Sequence, residues 1–198
     1  SGERILGSGR DAVLLTSAET TNNNLTNITI TNTSMMYNDL KISEGINGTY
    51  LIDMARIGNY SFEGIGSKIN FKDSKYGEIR FLQSINGSGT NLTRDVMILN
   101  NSVSVRSDLN RGLNKSANIT IYGIGNRFAN PVILRNSLEC GDICYNFTAL
   151  NSTNIAFNVS YWTNYSIGQD INMLVSCGVL GISNTIYTLQ NNISTAST

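Results

Sequence analysis

Residues 154–161 read NIAFNVSY. Ile155, Phe157, Val159 and Tyr161 alternate with smaller or polar residues, and a period of two puts them on one face of an extended strand. Inside the same stretch, Asn158-Val159-Ser160 is an Asn-x-Ser/Thr triplet, the acceptor for N-linked glycan and a mark of a surface position on an exported protein. In a strand, the asparagine and the hydroxyl residue share the outer face while x packs inward. One short segment therefore predicts a half-buried strand whose solvent side carries sugar.

The same division recurs. In Asn27-Ile28-Thr29-Ile30-Thr31 the polar set is 27, 29 and 31; Asn118-Ile119-Thr120-Ile121 repeats it. The x position is apolar at Leu25, Ile28, Leu92, Ile119, Phe147, Val159 and Ile193. Acceptor triplets stand at Asn24, Asn27, Asn32, Asn47, Asn59, Asn86, Asn91, Asn100, Asn114, Asn118, Asn146, Asn151, Asn158, Asn164 and Asn192, which is 15 of 28 asparagines. With 40 Ser plus Thr in 198 residues, composition alone gives roughly 6. The excess is more than twofold, so accident does not account for the set.

Alternation extends through Leu25–Thr31, Tyr50–Ile57, Ile79–Ile85, Val96–Leu99, Ala117–Ile124, Pro131–Arg135, Asn154–Tyr161, Ile171–Val179 and Ile182–Leu189. Turn-forming clusters lie between them: Glu44-Gly45, Asn47-Gly48, Gly64–Ser67, Asn86–Gly89, Asn110–Gly112 and Gly141-Asp142. No stretch combines a 3.6-residue apolar period with good helix formers; Leu138–Leu150 has room for one short turn. The pattern predicts an all-β fold, an antiparallel β-sandwich.

Charged residues make up 14% of the chain and the net charge is zero, against about a quarter charged in an average domain. That balance argues against nucleic-acid or anionic-membrane binding. No apolar run approaches 20 residues, so no transmembrane helix is expected. Ser1 is expected to be a processed N-terminus, left by removal of a signal peptide. With 14 carboxylate side chains and no His, few groups titrate in acid, and an acidic working medium is a further expectation.

The absence of His excludes Ser-His-Asp, Cys-His and His-ligated metal chemistry. Gly64-Ile65-Gly66 and Gly123-Ile124-Gly125 read as turns or bulges, not nucleotide loops. Glu139 with Asp142 is the nearest thing to an acid/base pair, and loop solvation explains it better. No calcium-loop pattern is present. Trp162, the only Trp, reads as a core or edge aromatic before a sugar platform. The expectation is no catalytic residue, no metal and no cofactor beyond covalent glycan.

Three cysteines leave at least one thiol unpaired within a monomer. The CGDIC spacing favours Cys140–Cys144. Cys140–Cys177 and Cys144–Cys177 are the alternatives, and Cys177 shares strand parity with Val175 and Val179, which suits a buried thiol.

Residues 1–24 differ from the rest. A glycine-rich start leads to the apolar knot Ala12-Val13-Leu14-Leu15 and a polar linker. They form a candidate arm ahead of a β domain over 25–198. The arm is either the first strand of its own sheet or a strand lent to a neighbouring subunit. Repeated head-to-tail, the second contact builds an open filament.

Three classes of function fit to different degrees. A structural subunit of an extracellular filament or coat explains dense acceptors, alternation and missing catalytic groups. An adhesin, S-layer component or viral spike-type ectodomain also suits a sugar coat. A secreted carboxylate hydrolase is the weakest.

The arm SGERILGSGRDAVLLTSAETT, the acceptor-dense strands rich in Asn, Ser, Thr, Ile and Tyr, and the scarcity of Pro and charge resemble the thread filament subunits of thermoacidophilic archaea, the Sulfolobus-type threads. The likeness covers the whole chain in style, with no short motif anchoring it. It implies a type I pilin-like β fold whose N-terminal strand completes the next subunit's sheet, heavy N-glycosylation, copies of itself as partner, and a role in adhesion or biofilm at the cell surface. Carried onto this chain, the donor strand spans Ile5 to Ser17 and includes Ile5 and Leu6, with Ala12, Val13, Leu14 and Leu15 as the pocket-filling set.

Overall fold

The computed structural model describes residues 4–6, 11–16, 21–31, 36–43, 47–63, 68–170, 173–174 and 188–189. Its first part is a three-faced coil of parallel strands. The first turn holds β1 (Arg4–Leu6), β2 (Val13–Leu15) and β3 (Asn24–Thr26). The second holds β4 (Thr29–Thr31), β5 (Leu40–Ile42) and β6 (Asn47–Ile52). The third holds β7 (Tyr60–Phe62) and β8 (Lys68–Asp73).

Each strand pairs in parallel with its counterpart one turn on. Val13, Leu40 and Tyr60 form one column and Leu15, Ile42 and Phe62 the next. Leu25, Leu51 and Phe71 stack on another face. On the remaining face Arg4 pairs with Thr29, and Thr29 bridges Arg56. This is the logic of a solenoid, in which no turn buries its apolar face alone.

The corners have a local cause. Asn27 follows β3 and Asp53 follows β6 at equivalent places, with φ of 54° and 51°. Asn and Asp tolerate that left-handed region because their short polar side chains bond locally. Asp53 also ties this corner to the next turn: its carboxylate accepts from the Ser74 amide at 2.6 Å and the Ser74 hydroxyl at 2.7 Å.

Beyond residue 73 the pairing changes sense. β9 (Gly77–Phe81) folds back antiparallel on β8, and β10 (Gly87–Gly89) lies antiparallel on β7. A single helical turn, α1 (Leu92–Asp95), is capped by Asn91, whose side chain accepts from the Arg94 amide at 2.9 Å. Then come β11 (Val96–Leu99), β12 (Ser102–Val105), β13 (Ala117–Ile121), β14 (Pro131–Arg135), β15 (Leu138–Glu139), β16 (Cys144–Asn146), β17 (Ile155–Val159) and β18 (Asn164–Gln169). β19 (Met173–Leu174) and β20 (Thr188–Leu189) pair in parallel with each other.

These strands form a seven-stranded sheet, β16-β17-β13-β9-β8-β6-β3, and a five-stranded one, β11-β12-β18-β14-β15. The larger sheet contains the third face of the coil, so coil and antiparallel region share one sheet. They also share a core. A chain of ring contacts runs Tyr60, Phe62, Phe71, Phe81, Trp162, Tyr165, Phe157, with centroid separations of 5.1 to 6.4 Å. It passes from the coil through β9 to β17 and β18. Trp162 is thus a core aromatic, 2% exposed.

The all-β expectation holds, and the antiparallel expectation needs correction over the first 73 residues. The alternation there marks an inward and an outward face, which parallel and antiparallel strands share. The expected border between 24 and 25 falls inside β3; the change of architecture comes at the β8–β9 turn. Ile5 and Leu6 pair with Ile30 and Thr31, and Val13 to Leu15 with Leu40 to Ile42, all within one chain. Ala12 donates its amide to the Asn38 carbonyl at 3.0 Å. Ser17 and the Gly64–Gly66 turn lie outside the described residues.

Candidate functional site

The outer face of the seven-stranded sheet carries the chemistry that the sequence singles out. Direct cross-strand neighbours make one row across all seven strands: Tyr145, Asn158, Asn118, Arg80, Asn70, Tyr50, Asn24. The next row inward-facing is apolar, with Phe157, Ile119, Ile79, Phe71, Leu51 and Leu25. So Asn118 and Asn158 face out because Ile119, Phe157 and Val159 are driven in.

Acceptor asparagines can be sorted by burial. Of the twelve whose side chains are described, Asn24, Asn27, Asn86, Asn100, Asn114, Asn146, Asn151 and Asn164 are exposed. Asn59, Asn91, Asn118 and Asn158 are half-buried, and none is buried. The buried asparagines among the described residues are Asn70 and Asn110, each 8% exposed. Neither belongs to an acceptor triplet. Asn32 and Asn192 lie outside the described residues, and of Asn47 only the backbone is described.

Some acceptors have structural work of their own. Asn91 caps α1 and also accepts from the Thr93 hydroxyl of its own triplet at 3.0 Å. Asn114 accepts from the Trp162 amide at 2.8 Å, and Asn100 from the Arg127 guanidinium at 3.2 Å. In each case the oxygen is engaged, which leaves the amide nitrogen, the atom that takes the glycan.

Cys140 and Cys144 form the disulfide that the spacing favours; Cys177 lies outside the described residues. The bond brackets a 3-10 turn, Gly141–Ile143, within the Leu138–Leu150 segment where one short turn was expected. It ties β15 of the smaller sheet to β16 of the larger. Exposed apolar groups surround it: Leu138, Ile143, Tyr145 and Phe147. The Tyr145 and Phe147 rings meet edge-on at 5.5 Å.

A buried polar cluster went unnoticed in the sequence. The Tyr60 hydroxyl donates to Asp95 Oδ2 at 3.1 Å and accepts from Asn110 Nδ2 at 3.2 Å. Asn110 also donates to the Ser88 carbonyl at 3.0 Å, and Arg94 pairs with Asp95 Oδ1 at 3.3 Å. Burial, together with the Asp95 carboxylate, pushes the Tyr60 hydroxyl up to about 12. The ring is fully enclosed, at 0% exposure. Gly89 approaches so closely that a Cβ there would stand 2.8 Å from Asp95 Oδ2. The cluster fastens α1, β7 and β10 together and gives no substrate access to the hydroxyl. No signal in the sequence links residues 60, 95 and 110.

The Glu139–Asp142 pair consists of two exposed side chains. Among the described residues, no group of three or more His, Cys, Asp or Glu side chains could hold a metal ion. Among them too, no helix is long and apolar enough to cross a membrane. Gly123 and Gly125 adopt φ of 69° and 51°, as turn glycines do. No protein-family model, curated protein or solved structure matches the chain.

Proposed function

We propose that this protein is a structural building block of an extracellular coat or filament, N-glycosylated along its length and without catalytic activity. One observation carries the reading: no described acceptor asparagine is buried, whereas the buried asparagines, Asn70 and Asn110, stand outside triplets. Of the ten described asparagines outside triplets two are buried, and of the twelve described inside triplets none is. A chain that carries sugar must keep every acceptor at the surface, and a neutral sugar coat maintains solubility where charge is scarce. It also blunts pairing at open sheet edges.

Intact-glycopeptide mass spectrometry of the protein from its natural source is the test. Occupancy at most of the eight exposed acceptors is the expected result. Unmodified asparagines at all of them would end the reading. Electron microscopy of the same material separates a filament or lattice from a dispersed protein.

A second reading, a surface-binding adhesin module, draws on the exposed Leu138, Ile143, Tyr145 and Phe147 beside the disulfide. Apolar groups gathered at a rigid corner suit contact with a partner surface.

A further inference from the structure

Among the described residues, the coil is closed at one end and open at the other. At the closed end, β9 covers β8 and β10 covers β7 with antiparallel ladders. At the open end, β1, β2 and β3 each have a ladder partner on one side only among the described residues. The backbone bonding shows what is left over. Val13 donates its amide to the Asp39 carbonyl and the Leu15 carbonyl accepts from Ser43, so β2 bonds β5 through residues 13 and 15. In a strand the intervening residue turns its amide and carbonyl the opposite way, so those of Leu14 face the open edge. On β3 the carbonyl of Asn23 and the amide of Asn27 bond β6. The backbone of Asn24 and Thr26 therefore faces the open edge as well.

The interior is open there too. Val13, Leu15 and Leu25 are half-buried, whereas Leu40, Ile42 and Leu51, one turn further in, are 0% exposed. β2 and β3 carry no charged residue and no Pro, the usual guards of an edge.

We propose that this end is the interface of a two-fold dimer with a second copy of this chain. A matching partner must offer three strand edges at the spacing of the coil. Among the described residues the protein has one such end, because the other is covered. Two open ends meet about a dyad at Leu14, where β2 and its copy run antiparallel. Leu14 and the second copy's Leu14 then exchange both amide–carbonyl bonds. The same rotation sets β3 of one protomer on β1 of the other. Acceptor asparagines do not obstruct this: Asn24 lies in the outward row with Tyr50 and Asn70, so its sugar stands off the sheet face and not in the edge. The contact is isologous and closes on itself, so a filament needs a different surface. The proposal rests on the coil alone and is independent of glycosylation.

Light scattering across a dilution series of the full chain, made without glycan, tests it. The expected mass is twice 21.6 kDa at high concentration, falling to the monomer on dilution. Leu14→Pro removes an edge amide without touching the β5 ladder, and Leu14→Lys sets two ammonium groups side by side at the dyad. Both variants should stay monomeric at concentrations where the parent is paired, by at least tenfold in Kd, with an unchanged far-UV spectrum. Hydrogen exchange gives a second readout, with Leu14 and Thr26 amides protected in the parent and released in the folded variants. A parent that is monomeric throughout with a fast-exchanging Leu14 overturns the proposal. So does a dimer or larger polymer that both folded variants leave intact.

Discussion

The side-chain nitrogen of Asn158 donates to Asn118 Oδ1 at 3.1 Å and to the Ala117 carbonyl at 3.2 Å, across the β13–β17 ladder. Both asparagines head acceptor triplets, and the two are direct cross-strand partners. Opposed residues in such a pair have Cα atoms only about 4.5–5.5 Å apart, close quarters for two sugars. The atom of Asn158 that would take a glycan is engaged twice. The pair is therefore expected to carry one glycan, at Asn118. Glycopeptide mapping should find Asn158 bare in the parent and its occupancy raised several-fold in Asn118→Gln. Most molecules carrying sugar on both residues would refute this.

The Tyr60 cluster makes a stability prediction. Tyr60→Phe keeps the ring in its core contacts and deletes the hydroxyl, leaving Asp95 Oδ2 and Asn110 Nδ2 short of a partner. Losing one member of a buried hydrogen-bonded set costs about 1–3 kcal/mol. For a chain of this size that lowers the melting temperature by about 2–4 °C per kcal/mol. Calorimetry of parent and variant measures the difference; equal melting temperatures would show that the cluster contributes nothing.

The same hydroxyl sets an alkaline limit. Burial raises Tyr60 to about 12 and also raises Tyr122 and Tyr165, against about 10 in an unfolded chain. Above pH 10 the unfolded state gives up protons that the folded state keeps, so unfolding becomes easier as pH rises. Stability is full below about pH 10 and declines toward pH 12, Tyr60 alone accounting for up to roughly 3 kcal/mol at about 1.4 kcal/mol per pK unit. The acid side has the opposite sign: the hydrogen bond from Lys41 holds Glu63 below its usual range, and that contribution is lost as pH falls through the lowered value. Glu63 is largely solvated, so its acid limb should be shallow. Urea midpoints from pH 3 to 12 would map both limbs. A steeper alkaline fall in the parent than in Tyr60→Phe is the specific expectation.

The coil explains which parts of the fold could be read from the sequence. β11 and β14 match the alternating segments Val96–Leu99 and Pro131–Arg135 end to end, and β13 and β17 lie inside theirs. Each is at least four residues long, enough to display the period. β5, β7 and β10 are three residues each and show none. Parallel stacking was hidden for a related reason. The step from Val13 to Leu40 is 27 residues and from Leu40 to Tyr60 is 20, so no fixed repeat appears. Burial provides the check. Leu40→Ala and Ile42→Ala empty enclosed positions and should cost about 2–5 kcal/mol each. Val13→Ala, in the same column but half-buried, should cost well under half as much. Equal losses at Val13 and Leu40 in denaturant titrations of the isolated monomer would contradict the coil register.

The Asn-x-Ser/Thr triplets were legible because a tripeptide is local. The polar cluster and the sheet junction were not, because they join residues far apart in the chain. At that junction, Cys140–Cys144 closes a very short loop between β15 and β16. Loop-closure entropy for so few residues gives about 2 kcal/mol, the low end for a disulfide. Its larger effect should be positional, since β15 belongs to one sheet and β16 to the other. Cys140→Ala with Cys144→Ala should lower the melting temperature by about 4–8 °C while the far-UV spectrum holds. Amide exchange should rise at Leu138–Asn146 and stay unchanged at β13, whose ladders to β9 and β17 do not pass through the bond. Exchange that rises equally across both sheets would mean that the disulfide anchors the whole core.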